Sequence, residues 1–413
     1  MKKRYPLGPW CLLLLSLLQI LSCQKLDPFE TPQYPVPADR QIIEKHLNLP
    51  EEPYEYLSGF NTQLLGEEIL MEGEETLIEL GRVLFYETAL SADGNISCAS
   101  CHIQELAFAD RSAFSQGVNG HFTDRNSFAL GALPSLSTDY TDLAVHFYAL
   151  DSFVLIPDIG TPVGVFWDER AEDFFVQMTE TFENEKEMGI PVASIPERLS
   201  GLEYYPILFE RAFRDDSITT PQAMTAILTF MNSIANTKSP YDLAAQEAIS
   251  RNDSVSFFGD FASFTPEQNR GKQLFLANCA ACHGSSIDIR LRGEGVKSTA
   301  CNGLDQEYTD QGVGAFLENQ ALNGVFKIPS MRNISVSAPY MHDGRFRSLE
   351  EVLRHYSEGI QAHPNLDPLL KDEFGNPKRM NFSQEEMDAL LAFFDTLKDE
   401  HLLTHEKWSN PFK

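Results

Sequence analysis

The sequence predicts a mainly α-helical protein built from two similar halves joined by long loops. Its 413 residues exceed what one hydrophobic core usually holds, so two domains are expected. Helical patterns recur along the chain, whereas alternating strand patterns are few. One pattern, an amphipathic helix followed by Cys-x-x-Cys-His, occurs once in each half. A repeat of this length is typical of two related domains rather than of a solenoid.

Composition and charge narrow the classes of function. Hydrophobic residues make up 43% and charged residues 22% of the chain, values that fit a packed globular protein and argue against a disordered one. The net charge of −28 argues against nucleic-acid binding, which needs a basic face. An acidic surface either attracts a basic partner or serves solubility alone, and the sequence leaves both open.

The N-terminus predicts export. Basic residues at positions 2–4 precede an apolar run at about 7–21, so residues 1–22 are interpreted as a secretory signal. The small residue before Cys23 resembles a bacterial lipoprotein cleavage box, which would leave Cys23 lipidated and the protein periplasmic. An uncleaved anchor helix is the alternative, but the run is shorter than the ~20 residues that spanning requires. Residues 23–70 are expected to form a tether and a lead-in.

The first half, residues 71–255, opens with a helix. Apolar residues recur at a spacing of three to four from Glu75 onward, and the helix is expected to run into the first motif. That motif is Cys98-Ala-Ser-Cys101-His102.

The second half, residues 256–413, repeats this arrangement after a predicted linker at Asn252–Phe264. Thr265 suits an N-cap and Gln268 lies three residues later, which predicts a capped helix leading into Cys279-Ala-Ala-Cys282-His283. Near the C-terminus, Ser383 and Glu386 predict another capping box at the start of an amphipathic helix.

Each Cys-x-x-Cys-His motif predicts a covalently attached haem c. Its two thiols bond to the haem vinyl groups, and its histidine binds the iron. The alternative, a zinc site, needs four ligands at tetrahedral spacing. After both motifs and the leader are assigned, Cys301 alone remains, and it is expected to be a buried, inert thiol.

Several further blocks resemble the bacterial di-haem cytochrome c peroxidases and their relative MauG. The resemblance covers about Leu77 to Leu397. The blocks, in family order, are Phe108–Arg111, Ser115–Gly120, Phe166–Ala171, Glu187–Gly189, Phe326–Asn333, Ala338–Gly344 and Leu349–Tyr356. The resemblance implies two cytochrome c-like haem domains.

The resemblance also implies roles for residues of the first site. His102 would bind the iron of the peroxidatic haem, and Glu187 would be its acid–base group. A carboxylate above the iron can move a proton between the two peroxide oxygens. Gln177 would line the same pocket. Trp167 would lie between the haems and relay electrons.

Further cofactors and partners follow from the same resemblance. Asn126, with the carbonyls of Ser337 and Pro339, would bind Ca²⁺, which prefers oxygen ligands. Hydrogen peroxide would be the substrate, and a small c-type cytochrome or a similar protein would donate electrons. A homodimer is a further expectation. No nucleic acid is expected, and the membrane would be touched only through the lipid anchor.

The chain departs from the peroxidases at both haems. Where a loop histidine caps their first haem, this chain has Val118, so either His121 replaces it or that iron is five-coordinate. Where they supply methionine to the second haem, this chain has Tyr356, as MauG does. Tyr356 is the predicted ligand, with Met341 and His355 as alternatives. A phenolate stabilises Fe(III), whereas a thioether favours Fe(II).

The sequence is compatible with three functions. The first is a peroxidase that reduces H2O2 to water with electrons relayed from the second haem to the first. The second is a MauG-like enzyme that uses H2O2 and high-valent iron to oxidise residues of a partner protein. The third is a non-enzymatic periplasmic electron carrier, against which the spacing of Gln177 and Glu187 argues.

Overall fold

The computed structural model describes residues 37–56, 74–130, 164–250, 258–284 and 298–413. The predicted signal, Cys23 and most of the predicted tether lie outside these ranges, as does the first part of the predicted linker. Within the ranges, no helix combines the length and the apolar composition that a membrane span requires.

The fold is mainly helical, as predicted. The α-helices of the described ranges are α1 (Pro37–His46), α2 (Glu74–Tyr86), α3 (Cys98–Cys101), α4 (Phe174–Glu183), α5 (Ile195–Ser200), α6 (Tyr205–Phe213), α7 (Thr220–Ser233), α8 (Pro240–Ser250), α9 (Pro266–Asn278), α10 (Ala280–His283), α11 (Val313–Phe316), α12 (Leu349–Arg354), α13 (Gln384–Asp395) and α14 (Glu400–Thr404). A π-helix, His355–Gly359, continues α12.

Shorter elements connect these helices. Single 3₁₀ turns are Thr88–Leu90, Gln104–Leu106, Val118–Gly120, Val192–Ser194, Gln320–Leu322, Pro368–Leu370 and Glu406–Trp408. Strands β1 (Thr299–Ala300) and β2 (Phe326–Lys327) pair antiparallel, with Thr299 opposite Lys327.

The core of the first half forms where α2 crosses α7. A Cβ on Gly81 would lie 1.9 Å from the carbonyl oxygen of Ala226, so the two backbones touch there. One turn later, the ring of Phe85 packs on Phe230 with centroids 5.2 Å apart. Glycine is therefore needed at position 81 because any larger residue would separate the helices.

The second half repeats this crossing with α9 and α13. A Cβ on Gly271 would lie 1.9 Å from the carbonyl oxygen of Ala389. The ring of Phe275 packs on Phe393 with centroids 5.4 Å apart. The repeat seen in the sequence is thus a repeat of helix packing, centred on a Gly and a Phe four residues later.

The predicted helix boundaries hold in two places and fail in one. Both predicted capping boxes form, at Thr265 and at Ser383. The first helix, however, ends at Tyr86 and does not run into Cys98, because Glu87 caps a separate 3₁₀ turn there. The described end of the predicted linker packs on the second core through the buried ring of Phe261, and the linker itself stays a prediction.

Candidate functional site

One cavity of about 800 Å³ brings the predicted site residues together. Its wall is mainly apolar and includes both Cys-x-x-Cys-His motifs. The predicted site residues that line it are Cys98, Cys101, His102, Asn126, Trp167, Gln177, Glu187, Cys279, Cys282, His283, Ser337, Pro339, Met341 and Tyr356. The cavity therefore joins the two halves of the candidate site.

The two motif histidines are held in the same way. The Nδ1 atom of His102 lies 2.7 Å from the carbonyl oxygen of Phe108, and that of His283 lies 3.0 Å from the carbonyl oxygen of Pro329. Because a carbonyl only accepts, each Nδ1 carries the proton and each Nε2 is the nitrogen suited to a metal. Burial lowers the pKa of His102, which favours the neutral, ligating form.

The residues present fit covalently attached haem. Cys98 and Cys279 are half-buried at the cavity wall, and desolvation there raises the pKa of each thiol to about 12. Both therefore stand as neutral thiols beside an apolar space, together with a histidine of the correct tautomer. In the described part of the chain, no three His, Cys, Asp or Glu side chains cluster as metal ligands, so the zinc alternative finds no ligand set there.

Glu187 lies in a polar network on the first side of the cavity. Burial raises its pKa, while hydrogen bonds from Thr181 and Asn184 oppose that rise. The Asn184 Nδ2 donates to Glu187 Oε1 at 2.7 Å. The Gln177 Nε2 donates to Thr181 Oγ1 at 2.9 Å, and both Gln177 and Glu187 line the cavity.

The loop that carries Val118 is fastened to the backbone beside Glu187. The Val118 N–H donates to the Glu187 carbonyl at 3.0 Å. A Cβ on Gly117 would lie 2.0 Å from the carbonyl oxygen of Lys186, so the loop packs as closely as backbone allows. His121 is exposed, with Nδ1 3.2 Å from the Glu185 carbonyl, and does not line the cavity.

Trp167 is held between the two halves. Its Nε1 donates to the carbonyl of Asn126 at 2.8 Å, and its own carbonyl accepts from the Lys327 N–H at 2.8 Å. Its ring stacks on Phe128 with centroids 4.1 Å apart and meets His342 edge-on at 6.4 Å. The side chain is therefore fixed in position and orientation.

The predicted calcium ligands share the cavity wall near Trp167. The Asn126 Nδ2 donates to the carbonyls of Ser112 and Ala113 at 3.1 and 3.3 Å. Its amide oxygen is thereby directed away from those carbonyls, and Ser337 and Pro339 line the same space. The calcium site stays a prediction.

On the second side, the structure separates the three candidate iron ligands. Tyr356 and Met341 line the cavity, whereas His355 does not. Burial is the main effect on Tyr356 and raises its pKa to about 12. Met341 adopts a left-handed backbone conformation with φ of 75°, uncommon for a side chain of this size.

Sequence reasoning missed two asparagines. Asn184, three residues before Glu187, carries a weak local signal because asparagine often bonds to nearby groups. Asn302 carries none, since its partners Met341 and His355 are 39 and 53 residues away. Cys301, beside it, is buried as expected, with Sγ 3.8 Å from the Tyr308 hydroxyl and 3.7 Å from His363 Nδ1.

Two family models match successive parts of the chain. Residues 75–249 match the model described as di-haem cytochrome c peroxidase. Residues 268–398 match the cytochrome c model. Each matched region contains one Cys-x-x-Cys-His motif.

Curated relatives align over most of the chain. The methylamine utilization protein MauG of Methylorubrum extorquens is 29% identical over 330 residues, covering 78% of each protein. The cytochrome c551 peroxidase of Nitrosomonas europaea is 25% identical, covering 78% of this chain and 79% of the relative.

Solved structures show the same fold. A MauG-like protein associated with microbial copper homeostasis superposes with a TM-score of 0.64 at 24% identity, covering 93% of this chain and 99% of the other. The di-haem peroxidase BthA from Burkholderia thailandensis gives a TM-score of 0.56 at 20% identity, with coverage of 81% and 90%.

Proposed function

Because the chain belongs to the di-haem cytochrome c peroxidase and MauG family, we propose that it reduces hydrogen peroxide at the haem of His102. Electrons would reach that haem from the second haem, at His283. Members of this family bind two haem c groups and act on peroxide as oxidoreductases. When bound, the haem iron supplies the electrons that cleave the O–O bond.

The observation that carries this proposal is the half-buried carboxyl of Glu187, which lines the same cavity as His102. Its carboxylate accepts a proton from the inner peroxide oxygen and delivers it to the outer one, which leaves as water. Asn184 holds the carboxyl in place with a hydrogen bond of 2.7 Å. The raised pKa makes Glu187 a better proton donor near neutral pH than an exposed glutamate.

Trp167 would relay electrons between the two haem sites. Its indole donates to the Asn126 carbonyl and stacks on Phe128, while its backbone carbonyl accepts from the Lys327 N–H of the other half. A fixed aromatic ring supports this role because its orientation toward both haems does not vary.

A MauG-like activity, the oxidation of residues in a partner protein, is the alternative. Tyr356 at the second side of the cavity and the relatives named MauG support it. A non-enzymatic periplasmic electron carrier is the second alternative, and the polar network around Glu187 has no use in such a protein.

The proposal also covers the membrane anchor, the electron donor, the metal ion and the oligomeric state. A lipid on Cys23 would anchor the protein at the periplasmic face of a membrane. A small c-type cytochrome would donate electrons, Asn126 with the Ser337 and Pro339 carbonyls would bind calcium, and two copies would form a dimer.

The test is hydrogen peroxide consumption by the purified di-haem protein with a panel of reduced donors. We expect turnover without prior reduction and a high-spin ferric signal in the electron paramagnetic resonance spectrum, because Val118 stands where the peroxidases carry a capping histidine. Two low-spin haems as isolated would refute the open first site. Absence of turnover with every donor, together with oxidation of an added partner protein, would favour the MauG-like activity.

A further inference from the structure

We propose that the C-terminal helix α14 positions the motif histidines of both haem sites. One end of this helix is hydrogen-bonded to the loop that follows His102, and the other end to the loop that contacts His283. Gln104 and Asn333 make these two connections. The inference rests on the binding of haem at the two histidines, which is part of the proposed function, and not on the reduction of peroxide.

The loop that follows His102 is short and closed. The Ile103 N–H donates to the Ala109 carbonyl at 3.0 Å, and the Phe108 N–H donates to the Ile103 carbonyl at 2.8 Å. Ala107 and Phe108 both have left-handed backbones, with φ of 56° and 60°. This turn brings the Phe108 carbonyl oxygen to 2.7 Å from the His102 Nδ1. A shift of the turn therefore changes the hydrogen bond of the histidine.

Gln104 joins this loop to the C-terminal end of α14. Its Nε2 donates to the carbonyls of Leu402 and His405 at 3.0 and 2.9 Å. Carbonyls at the end of a helix have no partner within it, so the buried amide caps α14. The backbone carbonyl of Gln104 accepts from the Ala107 N–H at 2.9 Å. The side chain that caps the helix is thus one hydrogen bond away from the turn that holds His102.

The N-terminal end of α14 is joined to the loop of His283. That loop contains Pro329, whose carbonyl oxygen lies 3.0 Å from the His283 Nδ1. Four residues later, the Asn333 Oδ1 accepts from the Asp399 N–H at 2.7 Å. Asp399 is the N-cap of α14, and its side chain accepts from two backbone N–H groups of the first turn. The same short helix therefore contacts both histidine loops.

Further contacts hold α14 against the first half. The Asp399 Oδ2 accepts from the N–H groups of Thr237 and Lys238 at 3.0 and 2.9 Å. Leu402 is fully buried in the core of the first half, although α14 belongs to the second half of the sequence. Because these contacts are independent of Gln104 and Asn333, the helix stays in place when either end connection is removed. Each connection then acts on its own histidine loop.

The hydrogen bond at Nδ1 affects the electronic properties of a haem. Donation from Nδ1 to a carbonyl makes the histidine a more basic iron ligand. A more basic ligand favours Fe(III), so weakening this bond raises the reduction potential of that haem. Displacement of either loop is therefore expected to raise the potential of one haem only.

The test is a redox titration of two variants of the full-length di-haem protein. Gln104→Met keeps the length of the side chain but removes both donors to α14. Asn333→Gly removes the acceptor and keeps the left-handed backbone, which has φ of 56°. We expect each variant to raise the reduction potential of one haem, and the two variants to affect different haems. Asp399→Ala, which removes the cap shared by both ends, should raise both potentials.

Matched controls separate this role from a general loss of stability. Gln273→Met removes an exposed amide that donates to the Phe258 carbonyl at 3.0 Å. Asn381→Gly changes an exposed asparagine that also has a left-handed backbone, with φ of 51°. Both controls should leave the two potentials unchanged. If Gln104→Met does not fold, Gln104→Asn, which keeps the amide on a shorter side chain, tests the same connection.

Three results would overturn the inference. They are unchanged potentials in both the Gln104 and the Asn333 variants, a shift of the same haem by both variants, and a lower melting temperature without any change of potential. Peroxide consumption by the unmodified protein is measured alongside. Its absence would refute the proposed function, whereas the two reduction potentials decide the role of α14 separately.

Discussion

The two halves hold their helices together alike but present different groups to the cavity. In each, a glycine lets one helix touch the carbonyl of another, and the haem histidine bonds to a backbone carbonyl. The cavity wall includes a carboxyl and amides from the first half and a phenol and a thioether from the second. Haem attachment therefore depends on a shared local scaffold, whereas the chemistry depends on side chains brought in by the loops.

Removal of the Glu187 carboxyl should have the largest effect on activity. Glu187→Gln keeps the shape of the side chain but cannot accept a proton, so kcat should fall about 10²–10⁴-fold. Steady-state peroxide consumption measures it. Glu185→Gln, an exposed neighbour, is the matched control and should retain activity. Full turnover in the Glu187→Gln variant would remove this residue from the mechanism.

The shared scaffold can be tested with one methyl group in each half. Gly81→Ala and Gly271→Ala each place a Cβ against a backbone carbonyl, so each should lower the free energy of unfolding by about 3 kcal/mol. Thermal unfolding followed by circular dichroism measures this. Gly201→Ala has open space and φ of −77°, so it should be nearly neutral. Equal stability of all three variants would contradict the packing described.

The pH dependence of activity tests the electrostatics around Glu187. The carboxylate of Glu187 is the form that accepts a proton, and burial raises its pKa. Arg170 opposes that rise and Glu180 adds to it. Activity should thus be full above the raised pKa and fall about tenfold per pH unit below it. A kcat/KM profile that stays flat down to the ordinary glutamate pKa would contradict this assignment.

The smallest expected effect belongs to Asn184. Asn184→Ala removes the hydrogen bond to Glu187, which is worth about 1.5–3 kcal/mol when the acceptor is charged. The acid limb of the pH profile should move to higher pH, because the carboxylate loses a stabilising donor. A purely structural role would lower activity without moving the limb. Asn376→Ala, in an exposed turn, serves as the control.

A structural feature could be predicted from the sequence when its interacting residues lie close together along the chain. Capping by Thr265 and Ser383 involves residues three apart, and both motifs are local, so these predictions needed no tertiary information. The end of the first helix was missed because Glu87 caps a separate turn there.

The contacts across the cavity could not be predicted from local patterns. Asn302 lies in an irregular segment without hydrophobic periodicity, 39 residues from Met341 and 53 from His355. The packing of Gly117 on Lys186 is of the same kind. Family resemblance placed Glu187, Gln177 and Tyr356 at the cavity, but the bonds that orient them are visible only in the fold.

Trp167 links the proposed electron relay to the contact between the two halves. Its peptide carbonyl bonds to Lys327 and its indole to Asn126, so the proposed relay is also part of the junction between the halves. Loosening of the junction would alter the relay while both cores remain folded. The rate of electron transfer between the haems would then change before thermal unfolding of either half is detected.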